Sequence, residues 1–425
     1  MSTGTAARRL ALALASVLAV AGTACSADHV IAPESPTAQP SAPSASLFSA
    51  WSAFQRYVAI GTSISAGVQS DGLDFATQAT SWPAQLDAAA ARILKQPYIS
   101  GAGCPAPILT PLILATRLSG ESALTPTANL GCAPLVTGVT LPVDNVSLNG
   151  ALTFDALFTT AQNITDPGNA KIYARVLQPG ATQISTMLAR NPTVVSVELG
   201  SNEVLGSISG VAIDNVTLVP FGAWALLYHG VLDQVKTKTN TAVVVGLIDD
   251  LGHVPAFRTG DELWADRAEF ALFHVNVSND CQGSPNLVFV PLKVTVAAAT
   301  GLSAAQHGLG FVPFSCAASP NPVVPDTVLS PTEVAFVNTR MHDMSVQIQL
   351  DAAAHGFAYF ALGALYDRSD LKGPFSLTKL MTSLSPFGPY FSADGVHPSA
   401  AGQAILARAA AQALNNTYGL GIPLP

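Results

Sequence analysis

The strongest constraint on the fold is a series of short apolar runs, at 57–60, 145–148, 193–199, 242–248, 287–290 and 358–362. Most are continuous rather than alternating in polarity, as parallel strands buried on both faces require. Helix signals fall between them. Ser330-Pro331-Thr332-Glu333 combines a capping residue, a proline suited to the first helical turn and a glutamate placed for a capping box. A helix is therefore predicted from there to His355, with Gly356 as its left-handed cap. Further helices are expected at about 183–189, 221–235 and 399–414. Strands alternating with helices imply an α/β sandwich on a parallel sheet.

The chain has 425 residues, 49% of them hydrophobic and 11% charged, enough to bury a large core. Its candidate functional residues run from 61 to 397 and must meet in one site, so one elaborated domain is expected over 51–425. Within it, 101–143 and 249–286 are rich in Pro, Gly and Ser, show few periods, and read as long loop insertions. Residues 26–50, rich in Pro, Ser and Ala, read as a tether. Ahead of it, Arg8 and Arg9, an apolar core at 10–21 and the small-residue exit Gly22-Thr23-Ala24-Cys25 make an export signal over 1–25. Cys25 makes this segment resemble a bacterial lipoprotein signal, which implies lipidation of Cys25 and membrane anchoring. Gly22 stands where such signals carry Leu, and plain secretion after cleavage is the alternative. Both readings place the protein outside the cytoplasm, in the periplasm, at the cell surface or beyond.

Formal net charge is -8, and the 19 Lys and Arg residues form no basic run, so nucleic acid is not an expected partner. Past residue 30 no uninterrupted apolar stretch reaches spanning length. Four cysteines follow Cys25: Cys104, Cys132, Cys281 and Cys316. Their spacing fits no zinc pattern, and an even count in an exported chain favours disulfides. Of three possible pairings, Cys104 with Cys132 and Cys281 with Cys316 closes the shortest loops, each bond contributing roughly 3 kcal/mol in the chain-entropy model. Four buried free thiols are the other reading.

Four polar islands carry chemistry. Ser63, in Gly61-Thr62-Ser63-Ile64-Ser65, follows a predicted strand and precedes a helical turn, where its hydroxyl projects and nearby N–H groups meet incoming negative charge. Alone it would read as a capping serine. Asp394 and His397 stand three apart in a Gly/Pro-bounded loop before the last helix. There a carboxylate can hold one imidazole nitrogen while the other faces a serine. The other seven histidines, His229 and His355 among them, read as packing or surface residues. Asn202 follows the run 193–199 and Gly200, so its amide lies at the carboxyl edge of the sheet, where open parallel sheets bind ligands. Gly150, past the run 145–148, can offer its backbone N–H with no side chain in the way; by itself it is a turn glycine. The chain has no Gly-x-Ser-x-Gly elbow and no cluster of histidines and acids at metal-ligand spacing, and no cofactor is expected.

In order and content these islands resemble the SGNH, or GDSL-type, hydrolase family of esterases and lipases. Its Gly-Asp-Ser-Leu-Ser block is matched by Gly61-Thr62-Ser63-Ile64-Ser65, and its Asn-led strand ending in Gly by Asn145 to Gly150. Its Gly-x-Asn-Asp is matched by Gly200-Ser201-Asn202-Glu203, and its Asp-x-x-His by Asp394 to His397. Thr62 and Glu203 each stand where the family has Asp. Ser100-Gly101-Ala102 rivals the second block, but Asn145 and the segment 151–157 favour Gly150. The resemblance implies a flavodoxin-like three-layer α/β/α fold, Ser63 as nucleophile, His397 as base and Asp394 as its partner. Gly150 and Asn202 would be oxyanion donors beside the Ser63 amide. The expected function is hydrolysis of a carboxylic ester, of a lipid or an acylated carbohydrate. The alternatives are a carbohydrate deacetylase or acyltransferase, and a surface binding protein without turnover. The apolar loop segment 109–114 is expected to contact an acyl chain or to act as a lid.

Overall fold

The structure, a computed structural model, describes residues 45–425. The signal over 1–25, the candidate lipidation site Cys25 and most of the tether lie outside the described residues. Strands in chain order are β1 (Tyr57–Gly61), β2 (Val194–Glu198), β3 (Ala242–Gly246), β4 (Phe257–Thr259), β5 (Val275–Val277), β6 (Leu287–Phe289), β7 (Val312–Phe314), β8 (Val328–Leu329) and β9 (Ala358–Ala361). The main sheet has the order β1-β2-β3-β9 and is parallel throughout, so the protein is α/β on a parallel four-stranded sheet. Every residue of β1, β2 and β3 is buried, which accounts for the continuous apolar text of β1 and β3; β2 also buries Ser196 and Glu198.

The run 145–148, expected as a strand, is instead an extended edge that makes one ladder bridge, Ala59 to Asn145, on the free side of β1. Backbone hydrogen bonds from Ala59 N to Asp144 O, Val146 N to Ala59 O and Leu148 N to Gly61 O hold it there. Gly150, in the left-handed region at φ 67°, turns the chain away before a longer ladder can form. The chain thus leaves β1 to one side and returns to β2 on the other. The two connections diverge at the carboxyl end of β1.

Helices Gln183–Arg190, Phe221–Lys236 and Pro331–His355 form one packed group against the sheet, and Trp82–Ala89 with Ala400–Tyr418 form another. The Pro331–His355 helix has the expected capping box and the left-handed Gly356. The last helix starts after its Ser399 cap and runs to Tyr418, beyond the expected end, because Gly419 supplies the left-handed residue that stops it.

The run 287–290 does not join the main sheet. Its three-residue strand β6 pairs antiparallel with β4 and β8, and Pro291 opens a helix at once, which leaves no room for a parallel crossover. The insertion 249–286 is likewise not a bare loop. It contains β4, β5 and helices Gly260–Ala265 and Arg267–Leu272, the first fixed by a capping box between Thr259 and Glu262. Insertion 101–143 contains only short turns and isolated bridges. Helix Ala45–Ala53 starts inside the segment read as tether, because Ala50 is drawn into the core beside Phe54. The described residues belong to one compact unit. Disulfides Cys104–Cys132 and Cys281–Cys316 are both formed, the shortest-loop pairing, and fit an oxidising, extracytoplasmic environment. Among the described residues no helix is long and apolar enough to cross a membrane.

Candidate active site

Ser63 opens a single helical turn, Ser63–Ala66, directly after β1. That turn is organised by a residue the sequence reading missed. Glu198, at the end of β2 and 1% exposed, accepts hydrogen bonds from the Thr62 and Ser65 amides and from both their hydroxyls, at 2.9 to 3.2 Å. Burial pushes the Glu198 carboxyl up, and these donors pull against it. The arrangement explains Thr62: an aspartate there would set a second carboxylate against Glu198, whereas threonine donates to it. An acid inside the apolar run 193–199 was the available signal. The Asn145 side chain adds a further tie by donating to the Ser65 carbonyl at 2.9 Å.

The expected pair forms. His397 Nδ1 lies 2.8 Å from Asp394 Oδ2, and Nε2 lies 3.0 Å from Ser63 Oγ. With Nδ1 protonated toward the carboxylate, Nε2 is free to accept the serine proton. Asp394 also accepts from the His397 and Val396 amides, the Ser392 hydroxyl and the Asp71 amide. Burial would raise its pKa, but the imidazole's charge and these donors hold it at about 2, so the carboxyl is ionised across the working range. For His397 burial works downward, and the Asp394 charge outweighs it and holds the imidazole above 6.5. The loop is pinned by Ser392 N to His397 O, by the Tyr366 hydroxyl donating to the Val396 carbonyl and by Ala256 N to Gly395 O. Ser392 and Asp71 were not legible, because each is a lone polar residue in irregular chain.

Gly150 is exposed and shares a cleft with Ser63, Asn202 and His397. Asn202 donates one Nδ2 hydrogen to the Ala151 carbonyl at 2.9 Å, which orients the amide and leaves its second hydrogen for a ligand. A side chain at 150 would meet Asn169 Nδ2 at 2.5 Å as well as an unfavourable φ. The rival Gly101 lies outside the lining of that cleft. Glu203, 1% exposed, accepts the Thr153 amide at 2.6 Å and so ties the chain after Gly150 to the helix that starts at Asn202.

Two cavities meet here. One of about 320 Å³ contains Ser63, Gly150 and Asn202; the other, about 500 Å³, is walled mainly by aliphatic side chains, and His397 borders both. Among the described residues, the one acid and cysteine group at metal-ligand spacing is Asp280, Cys281 and Cys316, and both sulfurs are committed to the disulfide. Chemically, a hydroxyl hydrogen-bonded to a carboxylate-backed imidazole, beside free N–H donors, can attack a carbonyl and hold the resulting oxyanion.

Comparison with protein-family models, curated proteins and solved structures finds no match for this chain.

Proposed function

We propose that the protein is a carboxylic ester hydrolase of the SGNH type that works through an acyl-enzyme on Ser63. The observation that carries this reading is the unbroken hydrogen-bond chain Ser63 Oγ to His397 to Asp394, ending in the cleft that contains Gly150 and Asn202. Ser63 attacks the ester carbonyl as His397 Nε2 takes its proton. The oxyanion is met by the Ser63 and Gly150 amides and by Asn202 Nδ2. His397 then protonates the departing alcohol, and the same imidazole activates the water that releases the acid. The order of segment 145–148, β1, β2, β3 and β9 supports the flavodoxin-like part of the reading, since the site sits where the connections diverge. The sequence's export signal and the two disulfides support an exported protein, anchored through Cys25 or secreted.

The test is hydrolysis of p-nitrophenyl acetate and laurate by the mature protein, with Ser63→Ala in parallel. The expected loss in kcat is about 10³-fold or more. Equal activity in the two proteins would remove Ser63 from the mechanism.

A further inference from the structure

The two cavities differ in chemistry. The larger, about 500 Å³, is lined by Ile108, Leu112, Ile113, Leu292, Leu302 and Met381 on its way to His397. The smaller, about 320 Å³, is lined beyond Ser63, Gly150 and Asn202 by Asn149, Asp166 and Asn169. Resting on the ester-hydrolase reading above, we infer that the substrate is an ester between a long acyl chain and a polyhydroxylic alcohol. The chain enters the apolar cavity and the alcohol lies in the polar cleft.

The direction of binding follows from the water the reaction needs. In the first half-reaction the Ser63 Oγ–acyl bond forms and the bond from the carbonyl carbon to the alcohol oxygen breaks. That oxygen leaves with the proton carried by His397. In the second, water gives its proton to His397 as its oxygen bonds to the carbonyl carbon. The Oγ–acyl bond breaks and Oγ recovers the proton, so one ester and one water give one acid and one alcohol. Between the halves the alcohol must depart and a water must take its place against Nε2. A cleft bearing a carboxylate and two amides offers that water more hydrogen-bond partners than a cavity walled mainly by Leu, Ile, Ala and Met, whose polar lining is Asp71, Thr127, Thr295 and the Asp394–His397 pair. The alcohol therefore occupies the polar side and the acyl chain remains on the apolar side.

Size and rim agree with this assignment. A methylene is close in volume to the roughly 30 Å³ a water takes in the liquid, so the cavity holds on the order of 16 of them. Of its lining, Leu124, Leu205 and Leu292 are 58%, 39% and 49% exposed, so apolar surface reaches solvent there beside the exposed Thr127 and the half-exposed Asp71. In the polar cleft, Asp166 Oδ2 holds Asn169 Nδ2 at 2.7 Å, leaving Asn169 Oδ1 able to accept from hydroxyls.

The experiment uses the mature protein and three substrate sets in the same nonionic detergent. The first is p-nitrophenyl esters of C2 to C16 acids, the second acetate esters of C2 to C16 alcohols, and the third sucrose monolaurate against ethyl laurate. Expected are a kcat/KM that climbs about two- to fourfold per acyl methylene toward the long end and no comparable climb with alcohol length. Sucrose monolaurate should be cleaved at least tenfold faster than ethyl laurate. Ala123→Phe and, independently, Leu302→Trp should lower the C12 to C2 ratio at least tenfold, and Asn169→Leu should erase the sucrose preference. An optimum at C2 to C4, a climb with alcohol length instead, or equal rates on the two laurates would overturn the inference while Ser63-dependent hydrolysis stands. Absence of hydrolysis of every ester would instead sink the ester-hydrolase reading itself.

Discussion

Glu203→Gln should change how stability depends on pH, by an amount that follows from burial. The Glu203 carboxyl is 1% exposed. Thr153 donates to one oxygen, and the other finds no hydrogen-bond partner among the described residues. Burial, opposed by the Thr153 contact, pushes its pKa from 4.5 to about 7. At 1.36 kcal/mol per tenfold change in proton affinity, the ionised form is disfavoured by about 3 kcal/mol relative to the unfolded chain. Because the folded pKa lies above the unfolded one, this contribution is fully present below about pH 4.5 and is lost as pH rises through 7. Glutamine keeps the acceptor for Thr153 and has no charge to bury. Between pH 5 and 8.5 the variant should therefore gain about 2–3 kcal/mol on wild type. Urea unfolding at five pH values in that interval measures it, with the slope m compared at each point to confirm the same transition. Parallel stability curves for the two proteins would refute the reasoning, since they would show Glu203 ionising in the fold as it does in the unfolded chain.

Asn202→Ala should lower kcat on p-nitrophenyl esters by about 10²–10³-fold with a smaller change in KM, as expected for a donor used in the transition state. Because His397 titrates above 6.5 and acts as base only when neutral, the rising limb of kcat/KM should lie above pH 6.5 in a pH-rate profile. A limb near pH 5 would contradict it. Gly150→Ala meets both a positive φ and Asn169 Nδ2, so it should cost about 1–2 kcal/mol in unfolding and at least tenfold in kcat. Normal turnover would place the oxyanion elsewhere.

Legibility in the sequence follows the reach of the signals. Strands β1 and β3 are readable because both faces are buried and the text is uniformly apolar, and β2 and β9 because apolar residues still dominate, although β2 carries Ser196 and Glu198 and β9 is half-buried on one face. Ser63, Asn202 and the Asp394–His397 pair are readable because each sits in a short block beside a strand or helix boundary. Glu198 is harder, since its partners Thr62 and Ser65 lie more than 130 residues away, and nothing near it says which groups will face it. Asp71 and Ser392 are invisible for the same reason: they matter through contacts across more than 320 residues or within an irregular loop. Within 249–286, Thr259 to Glu262 spells a helix start, but the helix it opens, Gly260–Ala265, is too short to show an apolar period.

The buried guanidinium of Arg117 bonds the Ala106 carbonyl within the disulfide-bearing insertion and reaches out of it to the Asp71 side chain and backbone carbonyl. Asp71 in turn gives its amide to the carboxylate behind His397. Ser70 makes a parallel connection, accepting from the Ile108 amide and bonding Ser392 and Ala393. Without the Asp71 amide, Asp394 would lose one donor and keep those from Ser392, Val396 and His397. In the proposed hydrolase, Asp71, a residue that borders both cavities, is therefore also one that steadies the acid behind the base.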